Sequence, residues 1–245
     1  MHVIWTIMRR ELGAYFNTPI GYVFMIFFLV LSKSLYVGMH LFVQGVAEMR
    51  DFFNWLPILF LFFLPAVSMR LWSEERKLGT LELLMTFPIR SWHAVLGKFL
   101  AGSVFLGVTL FLTLDLVLML RVLLSAPTMS LDFGTIVGGY AGAMCLGMVY
   151  LAVGSFASSL TSDQIVAFVI GATLNGVLFL ISFPTIVNWV RDFSPELSVA
   201  VQRFGVGYHF DSIARGVLDT RDLFYMLSMM AFFLFLNVLV IERRR

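Results

Sequence analysis

Few residues of this 245-residue chain are of a type that does chemistry, and two of them stand deep inside apolar runs. Lys33 lies in the run 20–43, roughly 20 Å from its inner end at about 1.5 Å per helical residue. Asp115 lies in the run 99–123, roughly 24 Å from its start by the same rise. At similar depth in the outer leaflet the two can meet as an ammonium–carboxylate pair, and ionisable residues inside apolar spans are functional suspects. Lys33 shares a helix face with Val37, His40 and Gln44, a polar seam along the first run. Three readings stay open. The seam lines a vestibule between protomers, or Lys33 snorkels outward, or the pair is structural glue.

Catalytic constellations are missing from the sequence. The Gly97-Lys98 pair is followed by Phe99 and makes no phosphate loop, and H-E-x-x-H, C-x-x-C and G-x-S-x-G are absent. His2, His40, His93 and His209 are scattered, and Cys145 is the single cysteine. Neither a metal site, an internal disulfide, a catalytic residue nor a resident cofactor is therefore expected. A net charge of +2, with no Lys/Arg block outside Arg243, Arg244 and Arg245, excludes nucleic acid as a partner. Any work this chain does must draw on another chain or on an ion gradient.

Three amphipathic pieces lie outside the longest apolar runs. In 2–17, Ile4, Met8, Leu12, Tyr15 and Phe16 share one helical face, while His2, Thr6, Arg9, Arg10, Gly13 and Asn17 share the other. Such a helix lies in a membrane interface, either passively or against a cytoplasmic partner. Glu11 falls on its apolar arc, where an unpaired carboxylate is costly, so a basic residue must meet it. The segment 73–98 holds a charged knot, Ser73-Glu74-Glu75-Arg76-Lys77, and then a short helix from Thr80 to Thr86 that Pro88 breaks. Leu81, Leu84 and Met85 share one side of that helix and Leu83 projects nearly opposite. It is either a loop tucked under the bundle or a wedge between the membrane domain and something else. In 210–218, Phe210, Ile213, Ala214, Val217 and Leu218 form an arc. That piece lies on the outer membrane face, dips in and returns, or lids an exit path.

The elements that position these residues follow from composition. Apolar residues make up 60% and charged residues 13%, with a mean hydropathy of +0.91, too few charges to cover a water-soluble surface. Runs at 20–43, 52–69, 99–123, 135–158, 165–187 and 223–241 each approach the ~20 residues a helical span needs. The expected fold is all-α: a single membrane domain over 1–245 with six transmembrane helices, an N-terminal interfacial helix and a short cytoplasmic helix after the second span. With both termini on one side, that side holds ten Lys/Arg against six opposite, which votes for cytoplasmic termini. The first span reads as a retained signal-anchor, since Glu11 follows Arg9-Arg10 and the apolar stretch begins only near Ile20.

Several residue runs then carry a resemblance. Arg9-Arg10-Glu11, Tyr15-Phe16-Asn17-Thr18-Pro19-Ile20-Gly21-Tyr22, Pro65-Ala66-Val67-Ser68-Met69-Arg70 and Glu74-Glu75-Arg76 resemble type-2 ABC transporter permeases, especially the gliding-motility-associated branch. The likeness is closest in Gly79-Thr80-Leu81-Glu82-Leu83-Leu84-Met85-Thr86-Phe87-Pro88-Ile89-Arg90 and Leu96-Gly97-Lys98. It continues through Ser159-Leu160-Thr161-Ser162-Asp163-Gln164, His209-Phe210, Ala214-Arg215-Gly216-Val217-Leu218-Asp219 and Arg221-Asp222-Leu223. The resemblance implies that the segment after the second span is a coupling helix docking on a separate ATPase chain. Gly79, Thr80, Glu82, Leu83, Thr86, Pro88 and Arg90 would touch that chain, with Arg9, Arg10 and Glu11 framing the contact. It also implies ATP and Mg bound in the ATPase only, a second permease copy, an auxiliary membrane subunit with an outer domain, and a bacterial cytoplasmic membrane. Lys33 departs from the family pattern, where small or apolar residues are usual. Two rival classes are a mechanical scaffold without solute transport and an ion-driven transporter. The latter expects several intramembrane carboxylates, and Asp115 is the one seen.

Overall fold

A computed structural model describes residues 2–38, 49–82, 90–123, 133–216 and 219–243. Every regular element among these is helical: α1 (His2–Asn17), α2 (Pro19–Tyr36), α3 (Met49–Ser68), α4 (Arg70–Lys77), α5 (Ser91–Phe111), α6 (Leu114–Leu123), α7 (Phe133–Leu160), α8 (Gln164–Leu180), α9 (Pro184–Phe193), α10 (Pro195–Phe204), α11 (Val206–Ala214) and α12 (Thr220–Glu242). Five stretches are long and apolar enough to cross a membrane: α2, α3 with α4, α5 with α6, α7 and α12. A sixth candidate, α8 with α9, is bent at a break and is either a broken span or a re-entrant loop. The expected fifth span, 165–187, runs as α8 only to Leu180, and α9 then leaves at 61°. Pro184 is the physical reason, because it lacks the N–H that a continuing helix would need and instead opens α9.

The bundle is built around α7. Two-thirds (67%) of its hydrophobic window is buried, against 28% for α2 and 17% for α12. Its sequence explains the central position: Gly138, Gly139, Gly142, Gly147 and Gly154 alternate with alanines and serines, so neighbouring backbones approach closely. Gly154 shows how closely, since a Cβ there would stand 2.1 Å from the Ser68 hydroxyl of α3. Aromatic rings fill the remaining core. Phe52, Phe53 and Phe60 of α3 are fully buried, Phe28 of α2 stacks on Phe60, and Phe53 meets Tyr140 of α7 edge-on.

The long segment between the fifth and last crossings folds as α9, α10 and α11. The segment 210–218 packs against α7 as far as Gly216. Val206, Phe210 and Ile213 are fully buried against the bundle, and Ile213 sits over Gly142 of α7. Val217 and Leu218 lie outside the described residues.

Candidate functional site

Three elements converge at the end of the bundle that carries both termini. The interfacial helix α1 packs along α5, with Ile7 and the Ile4 carbonyl against Gly97, a position where a Cβ would stand 2.8 Å from Ile7. Tyr15 fixes the far end of α1. Its hydroxyl donates to the Val67 carbonyl at 3.0 Å and its ring stacks on Phe105 at 4.9 Å. Burial, with the charge of Glu11 adding, pushes the Tyr15 phenol up and keeps it a donor. The protein-facing side of α1 is thus Ile4, Ile7, Glu11 and Tyr15, turned slightly from the expected apolar face so that Glu11 points inward.

Lys98 of α5 meets it there. This lysine is 1% exposed, and its ammonium lies 3.1 Å from a Glu11 oxygen, 3.0 Å from a Glu75 oxygen and 2.7 Å from the Leu71 carbonyl. An ammonium has three protons, and three acceptors take them. The Trp72 ring, 5.0 Å away, covers the same charge. Arg10 closes the figure from the exposed side with Nη2 at 2.9 Å from both carboxylates. Burial drives the Glu11 carboxyl up, but Lys98 and Arg10 outweigh it and hold the group below its ordinary value of 4.5. The hydrogen bond to Glu11 raises Arg10 in turn. One charged knot therefore ties the interfacial helix to the end of the second crossing and the start of the third. A half-open cleft of about 190 Å³ borders it, lined by Ala14, Arg70, Glu74 and Leu78 among others.

The joint between α3 and α4 is held from α7. The break at Met69 exposes backbone groups, and Ser158 satisfies three of them. Its hydroxyl accepts from the Trp72 and Ser73 amides at 3.1 Å each and donates to the Met69 carbonyl at 2.7 Å. Arg76 donates to the Ser159 carbonyl at 2.7 Å. Deeper, Ser155 accepts from the Trp72 indole at 3.1 Å and from Asn237 of α12 at 2.8 Å.

The predicted partner-contact residues hang from this frame. Gly79 takes φ +69, a left-handed conformation that turns the chain out of α4. Thr80 begins a new helical turn with its hydroxyl donating to the Glu75 carbonyl at 3.3 Å, and Glu82 is exposed. Arg90, also exposed, is the extended residue before α5. Leu83, Thr86 and Pro88 lie outside the described residues. Of the predicted interfacial trio, Arg10 and Glu11 enter the knot, while Arg9 is exposed.

The Lys33–Asp115 pair forms, at 2.6 Å. A turn at Leu112 and Thr113 splits the third crossing, so Asp115 lies in the first turn of α6, where a helix favours an anion. Lys33 lies in the last turn of α2, where a helix favours a cation. Thr113 bonds the Leu110 carbonyl at 2.7 Å and shares a 3.0 Å bond with the Tyr140 hydroxyl. Asp115 is 59% exposed on this chain alone. His40 and Gln44, the rest of the seam, lie outside the described residues.

Two features escaped the reading of the sequence. Lys98 and Glu75 fall in the wedge segment, and the sequence signal that joins them into a site is a Glu11 on an apolar arc that needs a cation, with a lysine among apolar residues to supply it. The second is a buried clamp on α11. His209 Nδ1 is 2.6 Å from Asp222 of α12, and Nε2 donates to the Arg203 carbonyl at 2.8 Å. The ring stacks on Tyr225, whose hydroxyl donates to the Phe204 carbonyl. No group of metal-ligating residues occurs among the described residues.

A bundle of apolar helices, all-α and threaded several times through a membrane, is the class of protein that this geometry defines. Residues 58–241, most of the chain, match the model of the ABC-2 family transporter proteins, and the chain belongs to that family. It is a membrane permease component of an ABC transporter, and membership implies an ATPase partner subunit. A comparison with curated proteins finds no match.

Proposed function

We propose that this chain turns ATP hydrolysis by a separate chain into movement or export across a bacterial cytoplasmic membrane. It does so as one of two permease copies, with both termini cytoplasmic. The observation that carries the reading is the mounting of the wedge. The turn at Gly79 projects Thr80, Leu81 and Glu82 from α4, and α4 is locked by Lys98 to α1 and α5 and by Ser158 to α7. A helix so mounted passes a push to three other helices at once, as a rigid lever does. ATP and Mg belong to the partner. Arg9, exposed beside the knot, and Arg10 and Glu11 within it frame its contact. The Lys33–Asp115 pair, exposed on the isolated chain, lines the vestibule between two copies. An auxiliary membrane subunit with an outer domain follows from the likeness to the gliding-motility-associated branch, which rests on the residue runs alone.

The test is a reconstituted complex of this chain with its ATPase. Glu82→Arg and Leu83→Asp lower the transporter-stimulated ATPase activity while leaving membrane insertion intact. Unchanged coupling in both variants would overturn the assigned contact.

A further inference from the structure

The last three carbonyls of α10 are all taken. Gln202 accepts from the Gly205 amide at 3.2 Å, Arg203 from His209 Nε2 at 2.8 Å, and Phe204 from the Tyr225 hydroxyl. The middle bond is set apart by what the same ring does on its other side. His209 is buried, and its Nδ1 stands 2.6 Å from an Asp222 oxygen. A backbone carbonyl only accepts, and so does a carboxylate. Neutral imidazole carries one N–H and satisfies one of these neighbours; imidazolium carries two and satisfies both.

The surroundings suit that charge. The ring faces the C-terminal end of α10, where a helix favours a cation, and Asp222 lies in the first turn of α12, where a helix favours an anion. Tyr225 stacks on the imidazole with ring centroids 3.9 Å apart, and Tyr208 meets it edge-on. Of the other helices packed on α11, α7 and α8 carry no charged side chain. The start of α3 carries Arg50 and Asp51, and Arg50 acts with Arg215 on Asp211, on the exposed side of α11. Glu196 and Arg203 of α10, and Asp219 and Arg221 beside Asp222, have exposed side chains.

We infer that His209 and Asp222 form a proton-operated latch: a proton on each ring nitrogen ties the end of α10 to α12, and loss of one proton releases α10. On that loss Nδ1–H stays with the Asp222 carboxylate, while the bare Nε2 turns its lone pair on the Arg203 carbonyl and that bond ends. The sign follows. A contact made only by the protonated ring is present at lower pH and is lost as the pH rises. The α11 helix itself stays in place, because Val206, Phe210 and Ile213 hold it by apolar burial alone. It docks on Gly138 and Gly142, at the end of α7 opposite Ser158, so the latch responds to pH on the side away from the wedge. The latch needs neither an ATPase nor a second copy, so its failure leaves the ATPase-coupling proposal standing, and the converse also holds.

Two measurements on the full chain in lipid nanodiscs test the latch. With His2→Gln, His40→Gln and His93→Gln, His209 is the single histidine, and isotope-labelled nitrogen NMR reads its ring directly. Both nitrogens are expected to carry protons at mildly acidic pH and one to be bare at alkaline pH. A bare nitrogen at mildly acidic pH would overturn the inference, since the second proton would then sit on Asp222 or be missing. The second measurement follows α10. In a Cys145→Ala background, nitroxides at Val199→Cys on α10 and Phe224→Cys on α12, both exposed positions, give their separation by pulsed electron resonance. The short, narrow distance is expected to be lost on raising the pH, with the midpoint seen for the ring. In Asp222→Asn the amide donates to Nδ1 and leaves Nε2–H for Arg203, so the distance stays short at both pH values. Tyr225→Phe keeps the pH response. A distance that ignores pH in the otherwise unmodified latch, or an Asp222→Asn chain that opens with the same midpoint, would overturn the inference.

Discussion

Replacing Lys98 by methionine is the most informative single perturbation. Methionine keeps the length and apolar stem of lysine and removes only the charge. Three interactions end together: two carboxylates at 3.1 and 3.0 Å and the Leu71 carbonyl at 2.7 Å. Glu11 and Glu75 are 14% and 16% exposed, so neither is rehydrated fully when its partner goes. Removing one member of a buried ion pair costs about 3–5 kcal/mol, because the remaining charge is left uncompensated. Arg10, at 2.9 Å from both carboxylates, still neutralises part of their charge, which sets Lys98→Met near the lower end, about 3 kcal/mol. At about 2–4 °C per kcal/mol for a chain of this size, the melting temperature falls by roughly 6–12 °C.

The assay is thermal unfolding of the purified chain in lipid nanodiscs. A further variant separates charge from packing: Lys98→Met with Glu11→Gln and Glu75→Gln removes all three charges while keeping the shapes. Replacement of a whole buried ion network by neutral groups is often close to neutral, so this triple variant recovers most of the loss. A Lys98→Met chain that melts with the unmodified one, or a triple variant no better than the single, would refute the reasoning.

Four further outcomes are expected. Reversing Lys33 and Asp115 separately lowers stability, whereas Lys33→Asp with Asp115→Lys restores it; failure of that rescue in a melting series counts against the pair. Acid weakens the knot with a defined sign. The folded Glu11 group sits below 4.5, so its stabilisation is present above that pH and is lost as the pH falls through the lowered value. A melting curve against pH shows it, and Glu11→Gln flattens the acid limb. Asn237→Leu removes the α12 donor to Ser155 and costs about 0.6–2 kcal/mol, read as a lower denaturant midpoint at unchanged slope. His209→Ala leaves Asp222 buried without its partner at 2.6 Å, and proteolysis between α10 and α12 becomes faster than in the unmodified chain.

The crossings were legible because lipid demands long apolar runs, and such runs leave their length in the sequence. Glu11 was legible for a related reason, since a carboxylate on an apolar arc predicts a cation nearby. Lys98 as that cation was not, because pairing residues 87 positions apart requires knowing which helices touch. The knot instead depends on Gly97 letting α1 settle on α5. Mean apolarity predicts a continuous helix through Pro184 because it does not register a single missing N–H. Likewise the amphipathic pattern of 210–218 does not say which surface its arc meets; the arc packs on α7 because Gly138 and Gly142 open a groove wide enough to receive it.

The polar groups held by α7 decide which parts of the bundle move together. Ser158 and Ser159 grip α4, Ser155 grips both Trp72 and α12, and the Tyr150 carbonyl accepts from Asn175 of α8 at 3.3 Å. Inside lipid such bonds have no water to exchange with, so breaking one leaves its groups bare. If the wedge receives a push as proposed, these bonds make α7 the first helix beyond the knot to take it up, and α7 is expected to carry it along its length toward α11. The first crossing is the exception. The α2 helix meets the bundle through aromatic contacts and the Lys33–Asp115 pair. Apolar rings slide where hydrogen bonds do not. Relative motion within this chain is accordingly expected between α2 and the α7-centred block, and such sliding must stretch the ion pair at its outer end.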